Sequence, residues 1–218
     1  MRLIFIHGWS FGPEVWDTLA PLLPEWEQAR VDIGYFGPQS LPQRRDDDIL
    51  IGHSMGFPWG LQQWGLQQRR GWRGLIAINS FARFLQNDDG RGCVNPAELR
   101  AIQKALSRDA GACVAAFRRS VATMPPPPKA NVTRLADGLN LLRDFDAATD
   151  LDGSPGVLPS LVLASENDPL VPPAAAEDLA EILGGKLVLH QGGGHGLPWA
   201  APEWCAAQIS GFLTQNGF

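Results

Sequence analysis

The chain lacks the features that mark secreted scaffolds, membrane proteins and nucleic-acid binders. Its 218 residues include three cysteines, Cys93, Cys113 and Cys205, odd in number and widely spaced. Such a set builds neither a disulfide framework nor a zinc pattern and predicts a reducing compartment. No apolar stretch approaches the roughly 20 residues of a membrane span. Met1-Arg2 leads straight into a strand-like run, so no signal peptide is expected and the location read from sequence is cytoplasmic. There is no basic excess: 18 Lys and Arg stand against 23 Asp and Glu, a net charge of −5. That argues against general nucleic-acid binding, which needs a cationic footprint. Wholesale disorder is excluded because 44% of the residues are hydrophobic and only 19% are charged. A chain of this length can bury about 70% of its unfolded surface in a single domain.

What the chain does have is a recurrence of short apolar runs followed by loops and helical periods. Arg2 to His7 is continuously apolar up to its histidine, as a strand buried on both faces should be. A glycine-bearing loop follows, and Pro13 opens a segment with Val15, Leu19, Leu22 and Leu23 at helical spacing. Arg30 to Ile33 reads as a second strand and Asp48 to Gly52 as a third. The link between 34 and 48 has little room for a crossover helix, so a loop is expected there. A helix over 55–69 tolerates Pro58 in its first turn, and Gly74 to Ile78 is the next strand. From Phe81 to about Pro155 no strand-like alternation occurs. Helices are predicted over Pro96–Leu106, Gly111–Ala122 and Asn131–Phe145, around the proline run Pro125–Pro128. Strand and helix then alternate again: Ser160 to Ala164, a helix over Pro173–Leu183, Lys186 to His190, and a closing helix over Ala201–Leu213 that buries Trp204, Ile209 and Phe212. The fold class is α/β, a mostly parallel sheet of about six strands with helices on both faces. The core is 1–80 and 156–218, with a helical cap inserted over 81–155.

Gly52-His53-Ser54-Met55-Gly56 organises the rest. It fits the G-x-S-x-G pattern, in which a strand turns so sharply into a helix that the central serine sits strained at the top of the sheet, and the flanking glycines avoid clashes with the neighbouring strand and helix. Two further segments follow strand ends at the edge where ligand sites collect in open α/β sheets: Ser165-Glu166-Asn167-Asp168 and Gly192-Gly193-Gly194-His195-Gly196. Ser54, Asp168 and His195 therefore appear in the chain order of a Ser-Asp-His triad on such a sheet. A serine hydroxyl needs a base to remove its proton, imidazole has the pKa for it, and a carboxylate fixes the imidazole tautomer. Asp168 has rivals in Glu166, Asp144 and Asp146 and is preferred because it sits in a turn before Pro169. His7 reads as a structural hydrogen-bonding residue, His53 as packing beneath the pocket and His190 as a strand-end residue. The tryptophans at 16, 26, 59, 64, 72, 199 and 204 read as packing residues. Gly192 to Gly194 are a bending loop and not a phosphate cradle, since no Lys-Ser/Thr pair follows.

With these motifs the chain resembles the α/β-hydrolase family over nearly its whole length. Within it, the chain is similar to the biotin-pathway carboxylesterases that cleave the methyl ester of pimeloyl-acyl-carrier protein. The resemblance is carried by His7-Gly8-Trp9 with Glu14-Val15-Trp16, the Ser54 pentapeptide, Ser165 to Asp168, and the cap segment Leu135–Leu151 with Gly138-Leu139, Leu142 and Asp146. It implies that Ser54 is the nucleophile, His195 the base and Asp168 its orienting acid. It implies too that the backbone amides of Trp9 and Met55 form the oxyanion hole, and that Trp9 and Phe117 contact the acyl chain. No cofactor and no metal are implied. The two N-terminal strands common in the family are expected to be absent, which would leave the second strand at the sheet edge and put dimerisation through exposed edges in play. Between 81 and 150 there are ten Lys/Arg and eight Asp/Glu, so a mildly basic cap covers an otherwise acidic protein. It could steer an acidic acyl-carrier protein to the site, or Arg118, Arg119 and their neighbours simply solvate helix faces. The expected activity is a cofactor-free serine carboxylesterase. The alternatives are a broad small-ester hydrolase, a thioesterase and a non-catalytic acyl-ligand receptor; Ser54 in place of an aspartate disfavours dehalogenation.

Overall fold

The computed structural model describes residues 1–64, 71–121, 129–151 and 158–218. Six parallel strands form one sheet: β1 (Arg2–Ile6), β2 (Glu27–Val31), β3 (Asp48–His53), β4 (Gly74–Ile78), β5 (Ser160–Ser165) and β6 (Lys186–His190), in the spatial order β2-β1-β3-β4-β5-β6. The continuous apolar runs are explained by two-faced burial. Successive strand residues point to opposite sides, so Ile4, Ile6, Leu50, Leu75 and Val162 enter one core, and Leu3, Phe5, Ile49, Ile76 and Leu161 enter the other.

The helices are α1 (Gly56–Gln63), α2 (Pro96–Arg108), α3 (Ala110–Val121), α4 (Val132–Asp144), α5 (Ala147–Asp150), α6 (Pro173–Leu183), α7 (Leu197–Ala200) and α8 (Pro202–Gln215). Helices α2 to α5 lie between β4 and β5 in sequence. Asn95, Asn131 and Asp146 cap α2, α4 and α5, each accepting a backbone N–H of the first turn. The first core is continuous from the sheet into these helices, since Trp9, Tyr35 and Met55 share it with Val114, Leu135, Leu139 and Leu142. Among the described residues no helix is long and apolar enough to cross a membrane.

Several boundaries differ from the sequence expectation. Strand β2 lies at the sheet edge but runs over Glu27–Val31, earlier than Arg30–Ile33. Asp32 only bridges to Ser40 in antiparallel sense. The helix expected after Pro13 is two short 3-10 turns, Pro13–Trp16 and Ala20–Leu22. Pro21 and Pro24 deny a continuous helix its N–H donors, and Leu22 faces solvent. The described part of α1 ends at Gln63, while 65–69 of the expected helix lie outside the described residues. Ala122, the proline run at 125–128 and the 155/156 core boundary also lie outside them. The closing helix is found as α8, Pro202–Gln215, with the separate short turn α7 just before it, and Trp204 is only half-buried, against His190. The link from β2 to β3 has no helix, as expected.

Candidate active site

The strand order places the site before any side chain is considered. From β1 the chain moves outward to β2, then returns to β3 on the other side of β1. This reversal opens a crevice at the carboxyl ends of β1 and β3, the switch point where ligands bind in open α/β sheets. The Gly8–Phe11 turn leaves β1 there, and Ser54 leaves β3 beside it.

Ser54 has φ +53°, a left-handed conformation that costs a non-glycine residue on the order of 1–2 kcal/mol. Its amide donates to the Ile78 carbonyl at 2.9 Å, and its carbonyl accepts from Ser80 Oγ at 2.8 Å. The glycines are sterically required. A Cβ on Gly52 would lie 2.3 Å from Phe57 Cα, and one on Gly56 would lie 2.2 Å from the Ile6 carbonyl oxygen. Only glycine fits at either position.

His195 Nε2 is 3.0 Å from Ser54 Oγ, and His195 Nδ1 is 2.8 Å from Asp168 Oδ2. Asp168 Oδ1 accepts the amides of Leu170 and Val171 at 2.8 and 3.0 Å. An ionised carboxylate only accepts, so the imidazole carries its hydrogen on Nδ1 and presents a bare Nε2 to the serine hydroxyl. All three residues are buried, and the serine is only 5% exposed. Low local dielectric strengthens each link.

The His195 loop is fastened to strand ends. Asn79, at φ +46° after β4, donates through Nδ2 to the Gly194 carbonyl at 2.6 Å and accepts the Ser165 amide on Oδ1 at 3.1 Å. Asn167 Oδ1 accepts the Gly194 amide at 2.9 Å, and Ser165 Oγ donates to the Gly192 carbonyl. His53 Nε2 donates to the His195 carbonyl at 2.8 Å. Burial, then the neighbouring His195, hold the His53 pKa well below its ordinary value, so this ring is neutral. Gly193 and Gly194, at φ +94° and +54°, let the loop turn back over the sheet.

The rival acids are occupied elsewhere. Glu166 is exposed, Asp144 pairs with Arg143, and Asp146 caps α5 and binds Arg83. His7 takes a framework position: Nδ1 donates to the Gly8 carbonyl at 3.0 Å and Nε2 accepts the Ile33 amide at 3.0 Å. Burial pushes the Cys205 thiol up to about 12 and raises Cys93 and Cys113 as well, so no cysteine offers a thiolate at neutral pH. Among the described residues no cluster of three His, Cys, Asp or Glu side chains could hold a metal ion.

The turn after β1 faces helices α3 and α4. Trp9 Nε1 donates to the Leu135 carbonyl at 2.9 Å, and the Phe117 ring meets the indole edge-on at 4.9 Å. Tyr35 Oη donates to Met55 Sδ at 3.4 Å. Gly138 makes room for Tyr35 and Trp9, because a Cβ there would lie 2.4 Å from Tyr35 Oη and 2.7 Å from Trp9 Cδ1. The structure brings Ser54, Asp168 and His195 together and sets Phe117 against Trp9, while sequence reasoning singled out neither Asn79 nor Ser80 and took Arg118 for a surface charge. Asn79-Ser80 carried a signal, being polar residues directly after a buried strand at the edge where the site lies.

Residues 26–208, most of the chain, match the alpha/beta hydrolase family. The chain belongs to that family. It is thus an enzyme of the hydrolase class, and the strand order above is the α/β-hydrolase sheet. Two relatives align along nearly their whole length. The pimeloyl-[acyl-carrier protein] methyl ester esterase of Stenotrophomonas maltophilia is 31% identical over 97% of this chain and 92% of its own. That of Aromatoleum aromaticum is 28% identical over 95% and 96%. Among solved structures, a bromoperoxidase from Bacillus anthracis superposes with a TM-score of 0.82 at 18% identity, covering 98% of this chain and 91% of that one. At that identity the likeness concerns the fold alone, which hosts many chemistries.

Proposed function

We propose that this α/β hydrolase is a serine carboxylesterase acting through an acyl-enzyme, and that its substrate is the methyl ester of an acyl chain carried on acyl-carrier protein. The observation that carries the mechanism is the 3.0 and 2.8 Å relay from Ser54 through His195 to Asp168. Ser54 Oγ attacks the ester carbonyl as His195 Nε2 takes its proton. Asp168 stabilises the imidazolium, and the same proton goes to the departing methanol. Water then attacks the acyl carbonyl as His195 Nε2 takes its proton, and that proton passes to Ser54 Oγ as the acid leaves. The amides of Trp9 and Met55 are the proposed oxyanion donors, the second at the positive N-terminal end of α1. Trp9 and Phe117 are proposed to line the acyl chain, under a cap formed by 81–155.

The substrate reading leans on the relatives, whose names specify pimeloyl-acyl-carrier protein, and with it goes a proposed cytoplasmic role in biotin synthesis, the pathway that another relative's name gives. Arg100, Lys104 and Arg108 add support: they are exposed at i, i+4, i+8 on α2, a cationic stripe on one helix face suited to an acidic carrier. The test is acid release from methyl pimeloyl-acyl-carrier protein and from p-nitrophenyl butyrate, by wild type and Ser54→Ala. Turnover of both by wild type is expected, with kcat/KM higher for the carrier substrate and a loss of about 10⁴-fold or more in the variant. Comparable kcat/KM for both substrates would point to a broad small-ester hydrolase. Undiminished activity in Ser54→Ala would remove the triad mechanism.

A further inference from the structure

We propose that Arg118, on cap helix α3, is a positioning residue that holds the Gly8–Phe11 turn and, through it, the Trp9 amide. The role of that amide as an oxyanion donor rests on the ester-hydrolase reading above.

The turn needs holding. The Phe11 amide donates to the Gly8 carbonyl at 3.3 Å, and Ser10 has φ +65° while Trp9 does not enter the left-handed region. A positive φ at the third position alone is the pattern of a type II turn, where glycine or asparagine ordinarily stands. Serine stands there fully buried, so the strained conformation persists only where the surroundings fix it.

Arg118 does the fixing from the cap. Its Nε donates to the Ser10 carbonyl at 2.6 Å, and Nη2 lies 3.3 Å from Glu14 Oε1, which also accepts the Gly12 amide at 3.2 Å. The guanidinium rests 5.1 Å from the ring centres of Phe11 and Phe36, and the residue is 3% exposed. Arg119, next in the same helix, faces solvent. A buried cation needs close partners to offset its desolvation, and here those partners include the turn and the loop that leaves it. Phe117 presses on the Trp9 ring from the preceding position, and α3 also packs on the 3-10 turn Gly194–Gly196 that carries His195. One helix therefore touches both sides of the crevice above Ser54.

The test compares wild type with Arg118→Met, which keeps an apolar stem against Phe11 and Phe36 and removes the donors. Three readouts are expected to move together. With p-nitrophenyl butyrate, kcat falls about 10- to 100-fold with KM within about threefold, the mark of a misplaced transition-state donor. Binding of butylboronic acid, whose tetrahedral Ser54 adduct puts an oxygen in the oxyanion hole, weakens by a similar factor. Amide hydrogen exchange over residues 8–14 speeds up at least about tenfold while β3 stays protected. Arg118→Lys, which restores one donor to the Ser10 carbonyl, recovers part of all three. Exchange over 8–14 that is unchanged in Arg118→Met overturns the proposal, as does a kcat within about threefold of wild type. If Arg118→Met does not fold, Arg118→Lys takes its place, and wild-type values for that variant in both kcat and exchange overturn the proposal. A wild type inert towards every ester defeats the ester-hydrolase reading instead, and the exchange comparison still decides whether Arg118 holds the turn.

Discussion

The His195 loop and the Trp9 turn face each other across Ser54, and opposite parts of the molecule hold them. The histidine loop is tied to the sheet: Asn79, Ser165 and Asn167 follow or end strands, and His53 ends β3. The tryptophan turn is tied to the inserted helices, through Arg118, Phe117, Leu135 and Gly138. The histidine side of the candidate site is thus held by strand ends, while the side proposed to bind the oxyanion is held by helices α3 and α4.

The comparison can be broken most severely on the sheet side. Asp168→Asn keeps the shape but turns the imidazole to the wrong tautomer, and kcat should fall by about 10³- to 10⁴-fold with little change in KM. Steady-state ester hydrolysis checks this, and a loss below tenfold would mean that Asp168 does not orient the base. Asn79→Ala leaves the Ser165 amide and the Gly194 carbonyl without that partner. It should lower kcat about tenfold and stability by about 1–3 kcal/mol, read by kinetics and urea melts on the same samples. On the cap side, Gly138→Ala forces a methyl against Trp9 and Tyr35. Its expected signature is a several-fold rise in KM with about 1–3 kcal/mol lost from overpacking, a KM effect where Asn79→Ala gives a kcat effect.

The smallest effect concerns pH. His53 is held neutral in the folded protein by burial first, so its folded pKa lies below the unfolded value of about 6.5. As pH falls below that value the unfolded chain takes up a proton that the folded chain refuses, and stability drops by up to about 1.4 kcal/mol per pH unit until the folded pKa is reached. His53→Gln, which can keep a donor to the His195 carbonyl, should flatten that slope in melts at pH 7.5 and 5.5. An unaltered slope would place the acid sensitivity elsewhere.

Much of this was legible from residues alone, for identifiable reasons. Two-faced burial writes β1, β3, β4 and β5 as unbroken apolar runs. The glycines of the Ser54 turn are there because Phe57 and the Ile6 carbonyl leave no room for a Cβ. Strand β2 was harder because an edge strand with Glu27, Gln28 and Arg30 carries little apolar pattern, and it was placed late. Prolines hid the 3-10 turns behind a helical spacing. Arg118 reads from sequence as a charge that solvates a helix face, yet it is buried against the Ser10 carbonyl and Glu14. Helical period shows which residues share a face, but not that this face closes on a loop about a hundred residues away in sequence. Asn79 escaped for the same reason, since its two hydrogen bonds join segments that only the folded sheet brings together.

The hydrophobic core that runs without a break from the sheet into α3 and α4 has a calorimetric consequence. Helices that buried their apolar faces only among themselves could melt as a separate unit, leaving a second transition in a heating scan. Here Leu135, Leu139 and Val114 are buried in the same cluster as Trp9 and Met55. Loss of the helices therefore exposes the floor beneath them, and a heating scan is expected to show one cooperative transition.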